Sequence, residues 1–316
     1  GVVNVSSPFL SRSDYLRLAL QERLRRTLPL KGPEEERAAQ LHEKLTSIDL
    51  HTHITTHHEE SGWEKDRERL WNSGVTCFFE ALDHLLNPAE DFQVTLEQIG
   101  ATHVLIEQTR GLCLALSAED IRRAKREGKE AVMMQLEPQT IGPVLDRVSI
   151  AHSLGVRCML LTFNTRNYLG DGCGEKTNSG LSNLGFDAVE RMNKVGMLID
   201  LSHCGERTTL DAIEASTDSV LINHAGARAL NPEMSRLKSD EPIQALAEKH
   251  GVFGVSAIPN QLSKAKRQGI HDLLNHIDYV VKLVGVDHVA IGLDICFDDH
   301  VAFHRTLIKR LMRGTG

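Results

Sequence analysis

Hydrophobic and polar positions along this chain fall into two textures. The first 45 residues read as two amphipathic helical pieces broken at Lys31-Gly32-Pro33. Ser11 or Ser13 could cap the first piece, and Pro33 suits the first turn of the second. From residue 46 onward, short apolar and β-branched runs alternate with longer amphipathic stretches. Strands are predicted at 48–53, 74–82, 130–137, 156–163, 196–203, 219–224, 251–258 and 287–294. Helices are predicted at 89–100, 117–127, 141–154, 184–195, 206–216, 241–250 and 271–284. Gly74, Gly155, Gly196 and Gly251 open four of the strand segments, where a glycine can close the preceding helix. Strands that are apolar almost throughout belong in a parallel sheet covered on both faces. Eight such units predict an α/β fold: a closed (β/α)8 TIM-like barrel over 46–316, with an N-terminal helical extension over 1–45. An open doubly wound sheet is the rival, but His51-Thr52-His53 stands where its Gly-rich fingerprint would follow the first strand.

Composition narrows the function classes. The chain has 316 residues, 41% of them hydrophobic, enough for one large barrel. With 36 basic against 43 acidic residues it carries a net charge of −7. It also lacks a basic stripe interleaved with aromatics, so no nucleic-acid partner is expected. No run of 18 apolar residues predicts a membrane span, and the first thirty residues are too charged for a signal-peptide core. Six cysteines form no CxxC pair and read as separate thiols in a reducing, cytoplasmic setting. The basic run 122–129 reads as the solvated face and end of a helix. The Gly-rich stretch 168–180 lacks the ending of a phosphate loop and reads as a mobile lid or rim after the fourth strand.

The unusual polar residues all fall at one end of that frame. His51 and His53 end the first strand, Glu137 the third, His203 the fifth, His224 the sixth and Asp294 the eighth. The carboxyl ends of barrel strands are where barrel enzymes build their sites. Residues two apart on a strand share a side, so His51 and His53 can both face the barrel mouth. Any one of the six alone would read as an ordinary hydrogen-bonded residue. Six at the same end point to a metal centre, because converging imidazoles and carboxylates are what zinc or a similar ion requires. Glu137 offers two oxygens and could bridge two ions. His57 and His58 extend the motif into the following loop and read mainly as solvated. Cys204 should point away from the side of His203, as a buried thiol.

From about residue 46 to 295 the chain resembles the membrane (renal-type) dipeptidases of the amidohydrolase superfamily. The resemblance rests on "DLHTH", "QLEP", "LLTFN", "GMLIDLSH", "NHAGARAL…SRLKSDEPIQALAEKHGVFGV" and "HIDYVVKLVGVDHVAIGLD". It implies a two-zinc (β/α)8 barrel in which His51 and residue 53 hold one ion, Glu137 bridges, and His203 and His224 hold the other. It also implies that Asp294 is the acid/base and that Arg236 binds a substrate carboxylate. Three departures stand out. The family's H-x-D reads His51-Thr52-His53 here. Phe163 stands where a histidine contacts the substrate, and the tyrosine near the end of the seventh strand is absent. Asn164 and Asn260 are candidate replacements for the lost oxyanion donor.

These readings predict a zinc-dependent (or other divalent-metal) hydrolase. Its substrate would be a small carboxylate-bearing amide or dipeptide-like molecule, with Arg236, Phe163 and Asn164 lining the site. A homodimer is the expected assembly. The alternatives are a divergent barrel metalloenzyme, such as a non-peptide amidase or lyase, and a non-catalytic metal-binding scaffold.

Overall fold

A computed structural model of the chain describes residues 32–53, 71, 73–82, 92–137, 141–265 and 268–294. The first N-terminal helical piece, His57, His58, Cys296 and the C-terminal segment therefore lie outside the described residues.

The strands are β1 (Ile48–Thr52), β2 (Cys77–Leu82), β3 (Leu112–Leu114), β4 (Glu130–Leu136), β5 (Val156–Leu160), β6 (Leu198–Asp200), β7 (Leu221–Ala225), β8 (Val252–Val255) and β9 (Val289–Ile291). All pairings are parallel. The barrel closes through β1, β2, β4, β5, β6, β7, β8 and β9, because β2 pairs directly with β4 as well as with β1. This is the expected eight-stranded barrel with one addition. β3 had no counterpart among the predicted strands; it pairs only with Glu130–Val132 at the start of β4. Beyond it, Met134–Leu136 on β4 pair with β5, so β3 fills the lower part of a seam that β5 fills above.

The described helices are α1 (Gly32–Lys44), α2 (Phe92–Gln108), α3 (Ala118–Glu127), α4 (Asp146–Ser153), α5 (Asn183–Val195), α6 (Glu206–Ala215), α7 (Asp240–Glu248), α8 (Pro259–Leu262) and α9 (Ile270–Val284). Local chemistry sets their ends. Ser117 Oγ accepts from Asp120 N and Ser182 Oγ accepts from Gly185 N, while Gly128 and Gly196 close α3 and α5 in the left-handed conformation. Gly74 and Gly155 are also left-handed, but before β8 that role falls to His250. Gly251 is needed there for another reason: a Cβ would lie 2.4 Å from the Val220 carbonyl oxygen. The basic residues of 122–129 pair with neighbours on their own surface, Arg123 with Asp120, Arg126 with Glu119 and Lys129 with Glu127. The main core lies between strands and helices and runs through Met134, Leu136, Val148, Met159, Met192, Ile199, Ile222, Ile243 and Phe253. Cys204 belongs to it, as a buried thiol. No described helix is long and apolar enough to cross a membrane.

Two glycines show how little room the barrel leaves. A Cβ on Gly254 or Gly292 would lie 1.9 Å or 1.7 Å from the carbonyl oxygen of Asn223. Backbone cannot yield as a flexible side-chain tip can. Gly254→Ala and Gly292→Ala are each expected to lower unfolding free energy by at least about 1–3 kcal/mol, measured by urea denaturation; unchanged midpoints would contradict this packing.

Candidate metal centre

Four histidines meet at the carboxyl end of the barrel. His51 lies on β1 and His53 just beyond it, with their Nε2 atoms 3.1 Å apart. His203 follows β6 and His224 lies on β7, with Nε2 atoms 2.9 Å apart. The two pairs join where the His51 and His224 rings stack, centroids 3.7 Å apart. Asp294 closes the cluster, with Oδ1 3.4 Å from His53 Nε2 and 3.8 Å from His51 Nε2. Its backbone is left-handed (φ 57°), rare outside glycine, and is pinned by its own N–H donating to His51 O at 3.0 Å. His51, His53 and Asp294 each offer a ligand atom, all within 4.8 Å of one another. Glu137 is buried at the end of β4, at the same end of the barrel.

The electrostatics favour metal-binding forms. Burial lowers the pKa of both His203 and His224 well below the ordinary histidine value, and the charges of Arg236 and the neighbouring histidines act in the same direction. The rings are therefore neutral, the form that donates a lone pair to a cation. Burial works to raise the Asp294 carboxyl, but the hydrogen bond from His53 and the nearby His51, His53 and Arg236 charges outweigh it. They hold Asp294 ionised, well below the usual carboxylate range. Neutral imidazoles with close-set Nε2 atoms and ionised or buried carboxylates match the donor set of zinc or a similar divalent ion.

Behind the histidines lies a second tier of buried polar groups that sequence reasoning missed. Asp49 Oδ1 accepts from the backbone of His51 and of Leu293, tying the end of β1 to that of β9. Burial pushes its pKa up to about 7. Asp200 Oδ1 accepts from Ser202 N, Ser202 Oγ and Asn223 N. Gln135 and Asn223 bridge His51 to His224 through their side-chain amides. Strand register breaks beside Asp49, Gln135 and Asn223, between Asp49 and Thr52, Met134 and Gln135, and Ile222 and Ala225. Such irregularities re-aim side chains. The available signal was a polar residue inside an apolar strand beside a candidate ligand: Gln135 two before Glu137, Asp200 and Ser202 before His203, and Asn223 before His224.

The candidate substrate residues fall around this centre. Phe163 stacks on His203, centroids 4.2 Å apart. Asn164 Oδ1 accepts from His203 Nδ1 at 2.8 Å, so its carbonyl end orients that ring. Arg236 is buried, with Nη1 donating to Ser202 O at 2.6 Å and Nη2 to His224 O at 2.7 Å. Asn260 sits at the start of α8, where its backbone oxygen accepts from Asn231. The stretch 168–180 is a rim built around Asp171, which accepts from Arg166, Thr177 and Ser179 N. Gly172 is required there, since a Cβ would lie 2.0 Å from Phe163 O. Cys173 N donates to His203 O, so the rim is fastened to the strand end that carries His203.

A family model described as membrane dipeptidase (peptidase family M19) matches residues 35–314. Dipeptidase tcpJ of Claviceps purpurea is 29% identical over 236 residues, covering 71% of this chain and 54% of that protein. A protein of Schizosaccharomyces pombe named as an uncharacterized dipeptidase is 31% identical over 270 residues, covering 79% and 63%. The chain thus spans somewhat more than half the length of these two relatives. A crystal structure of an amidohydrolase from Pseudomonas aeruginosa superposes with a TM-score of 0.76 at 30% identity, covering 85% of this chain and 80% of that one. A metallopeptidase from Rhodobacter sphaeroides shares the fold at 21% identity, with a TM-score of 0.69 over 86% and 93% of the two chains.

The rim carries a pH signature. The hydrogen bond from Arg166 chiefly, helped by Ser179 N and Thr177, holds the Asp171 pKa down to about 2. A depressed carboxylate pKa adds stability that is present above the unfolded value and is lost as pH falls through the folded one. Asp171→Asn is expected to cost about 1–3 kcal/mol at pH 7. The gap from wild type should shrink as pH falls from about 4 to about 2. Urea titrations of both proteins across that window check it.

Proposed function

Because the chain belongs to the membrane dipeptidase family (peptidase family M19), we propose that it is a metal-dependent hydrolase of dipeptide-like, carboxylate-bearing amides. The observation that carries this reading is the convergence of four imidazoles and an ionised aspartate at the carboxyl end of one barrel. His51, His53, Glu137, His203 and His224 would hold the ion or ions, with zinc the proposed metal. When bound there, such an ion supplies Lewis acidity, making a water more acidic and a carbonyl more electrophilic.

The protein's own residues carry the remaining roles. Asp294 is held ionised, so it can take a proton from the attacking water at Oδ1 or Oδ2 and return it to the leaving amine nitrogen. Arg236 keeps one N–H on each terminal nitrogen beyond its bonds to Ser202 and His224, enough to meet a substrate carboxylate. Phe163 is half-buried on His203 and offers an apolar surface with no hydrogen-bond donor. Asn164 Nδ2 is the nearby side-chain donor that could face an oxyanion, because its Oδ1 is committed to His203. A cytoplasmic location belongs to the same proposal, supported by the free thiols of Cys77, Cys113, Cys158, Cys173 and Cys204.

Three measurements test this reading. Elemental analysis of purified protein should find transition metal, and His203→Ala with His224→Ala should reduce it; equal metal in the double variant would contradict the assignment. Asp294→Asn should lower turnover by about 100-fold or more while most of the metal stays bound; full activity would remove Asp294 from the mechanism, and parallel loss of metal would make it a ligand. The Phe163 surface predicts weak turnover of unblocked dipeptides compared with N-acyl amino acids or cyclic amides. Phe163→His should shift that preference toward dipeptides by supplying the missing donor, worth about 100-fold. Rapid dipeptide turnover by the unaltered protein would refute this preference.

A further inference from the structure

We propose that Gln135 and Asn223 form a polar relay that forces opposite tautomers on His51 and His224, so that the centre takes its first metal ion on the His51 side. This rests on the metal-centre reading above and concerns how that centre is loaded.

The relay is four side chains long. His51 Nδ1 lies 2.9 Å from one end of the Gln135 amide. The other end of Gln135 lies 2.6 Å from the Asn223 amide, and the far end of Asn223 lies 2.5 Å from His224 Nδ1. An amide has a donor end and an acceptor end, and a neutral imidazole carries one proton shared between its two nitrogens. If His224 Nδ1–H donates to Asn223 Oδ1, then Asn223 Nδ2 donates to Gln135 Oε1 and Gln135 Nε2 donates to His51 Nδ1. His51 must then carry its proton on Nε2. Turning both amides over reverses every bond and exchanges the two tautomers. If both rings were protonated on Nδ1, the two amides would meet NH2 to NH2 across 2.6 Å. A ring protonated on Nε2 has no lone pair there for a cation.

Ser202 selects the direction. Its Oγ lies 2.5 Å from Asp200 Oδ1 and 2.7 Å from the Asn223 amide, and it also accepts from His224 N. The hydroxyl has one hydrogen, and above the Asp200 pKa, which burial raises to about 6, the carboxylate can only accept it. Ser202 Oγ then has lone pairs facing Asn223, so Asn223 presents its NH2 to both Ser202 and His224. Gln135 follows, donating to Asn223 and accepting from His51 Nδ1–H. His51 is left with a lone pair on Nε2, beside His53 and Asp294. His224 is left with Nε2–H, which donates across 2.9 Å to His203 Nε2, while His203 Nδ1–H donates to Asn164 Oδ1. Every bond in the chain is satisfied in this one arrangement. A second ion at His203 and His224 needs the His224 proton on Nδ1, where it would meet the Asn223 NH2. That site should bind about tenfold or more weakly.

The test begins with metal-free protein labelled with 15N-histidine. The two rings are assigned by comparison with His51→Asn and His224→Asn. The expected spectrum shows a pyrrole-like Nδ1 in His51 and a pyridine-like Nδ1 in His224; any other pairing overturns the proposal. Zinc titration against a competing chelator should give two stepwise affinities at least about tenfold apart. Gln135→Glu puts an acceptor at both ends of that residue, and Gln135→Met removes the link without adding charge. Gln135→Glu should turn Asn223 over, make His224 Nδ1 pyrrole-like and bring the two affinities together, whereas Gln135→Met leaves Asn223 set by Ser202 and should keep them apart. A ratio that stays at the wild-type value in Gln135→Glu overturns the proposal; if that variant does not fold, the wild-type spectrum decides. Wild-type protein with the expected tautomers that binds no zinc would refute the metal-centre reading and leave the relay standing.

Discussion

Asn223 is held from three directions, and the site depends on that grip. Its backbone N–H donates to Asp200, its carbonyl oxygen is crowded by Gly254 and Gly292, and its side chain lies between Gln135 and His224. A buried amide with an unmade hydrogen bond costs more than the bond contributes when made. So the barrel cannot place His224 at its mouth without also satisfying Asn223, and Asn223 in turn needs β4, β6, β8 and β9 at fixed distances. The two glycines permit the approach. The break in register between Ile222 and Ala225 accompanies two consecutive polar residues working together, where a regular strand would send one to each face.

Positive charge is placed behind the histidines as well as among them. Arg236 binds the carbonyls of Ser202 and His224, and Lys238 donates to Cys204 O and Thr209 Oγ1 while buried. Both cations thereby hold the backbone that presents His203 and His224. The Arg236 charge also helps keep both rings neutral, after burial itself, and the Lys238 charge acts on His203 in the same direction. Burial lowers the Lys238 pKa to about 8, which shows how costly the second cation is here. A wall built this way suits an anionic substrate group better than an ammonium, which agrees with a carboxylate-bearing substrate and with histidine in place of aspartate at position 53.

The ends of the strands were legible because two independent signals coincided there, a run of apolar residues and a histidine or acid at its close. His51, His53, His203, His224 and Asp294 were all reachable in this way. β3 was not, since three residues make too short a run to separate from the linkers around it. Nor was the support tier. Gln135, Asp200 and Asn223 stand in apolar strands, but nothing in a linear sequence says that Gln135 meets Asn223, 88 positions away. His276 shows the opposite hazard. It is fully buried, with one ring nitrogen accepting from Ala227 N and the other donating to Leu262 O, and it is purely structural. A histidine becomes a candidate ligand only when the neighbouring chain leaves one nitrogen aimed at another donor atom.

That criterion also bears on Phe163. Its ring covers one face of His203, whose edge is already fixed by Asn164 and whose backbone carbonyl is tied to the rim through Cys173. A histidine at position 163 would add a further imidazole to a cluster whose electrostatics already disfavour positive charge. Phenylalanine adds packing without a proton to place, and Gly172 of the rim lies against the Phe163 backbone carbonyl, where no side chain fits. On the proposed assignment, substrate selection and metal binding would be joined mechanically at His203. A change in the ring at 163 would then alter what lies against the substrate and, through the same stack, how firmly His203 is aimed.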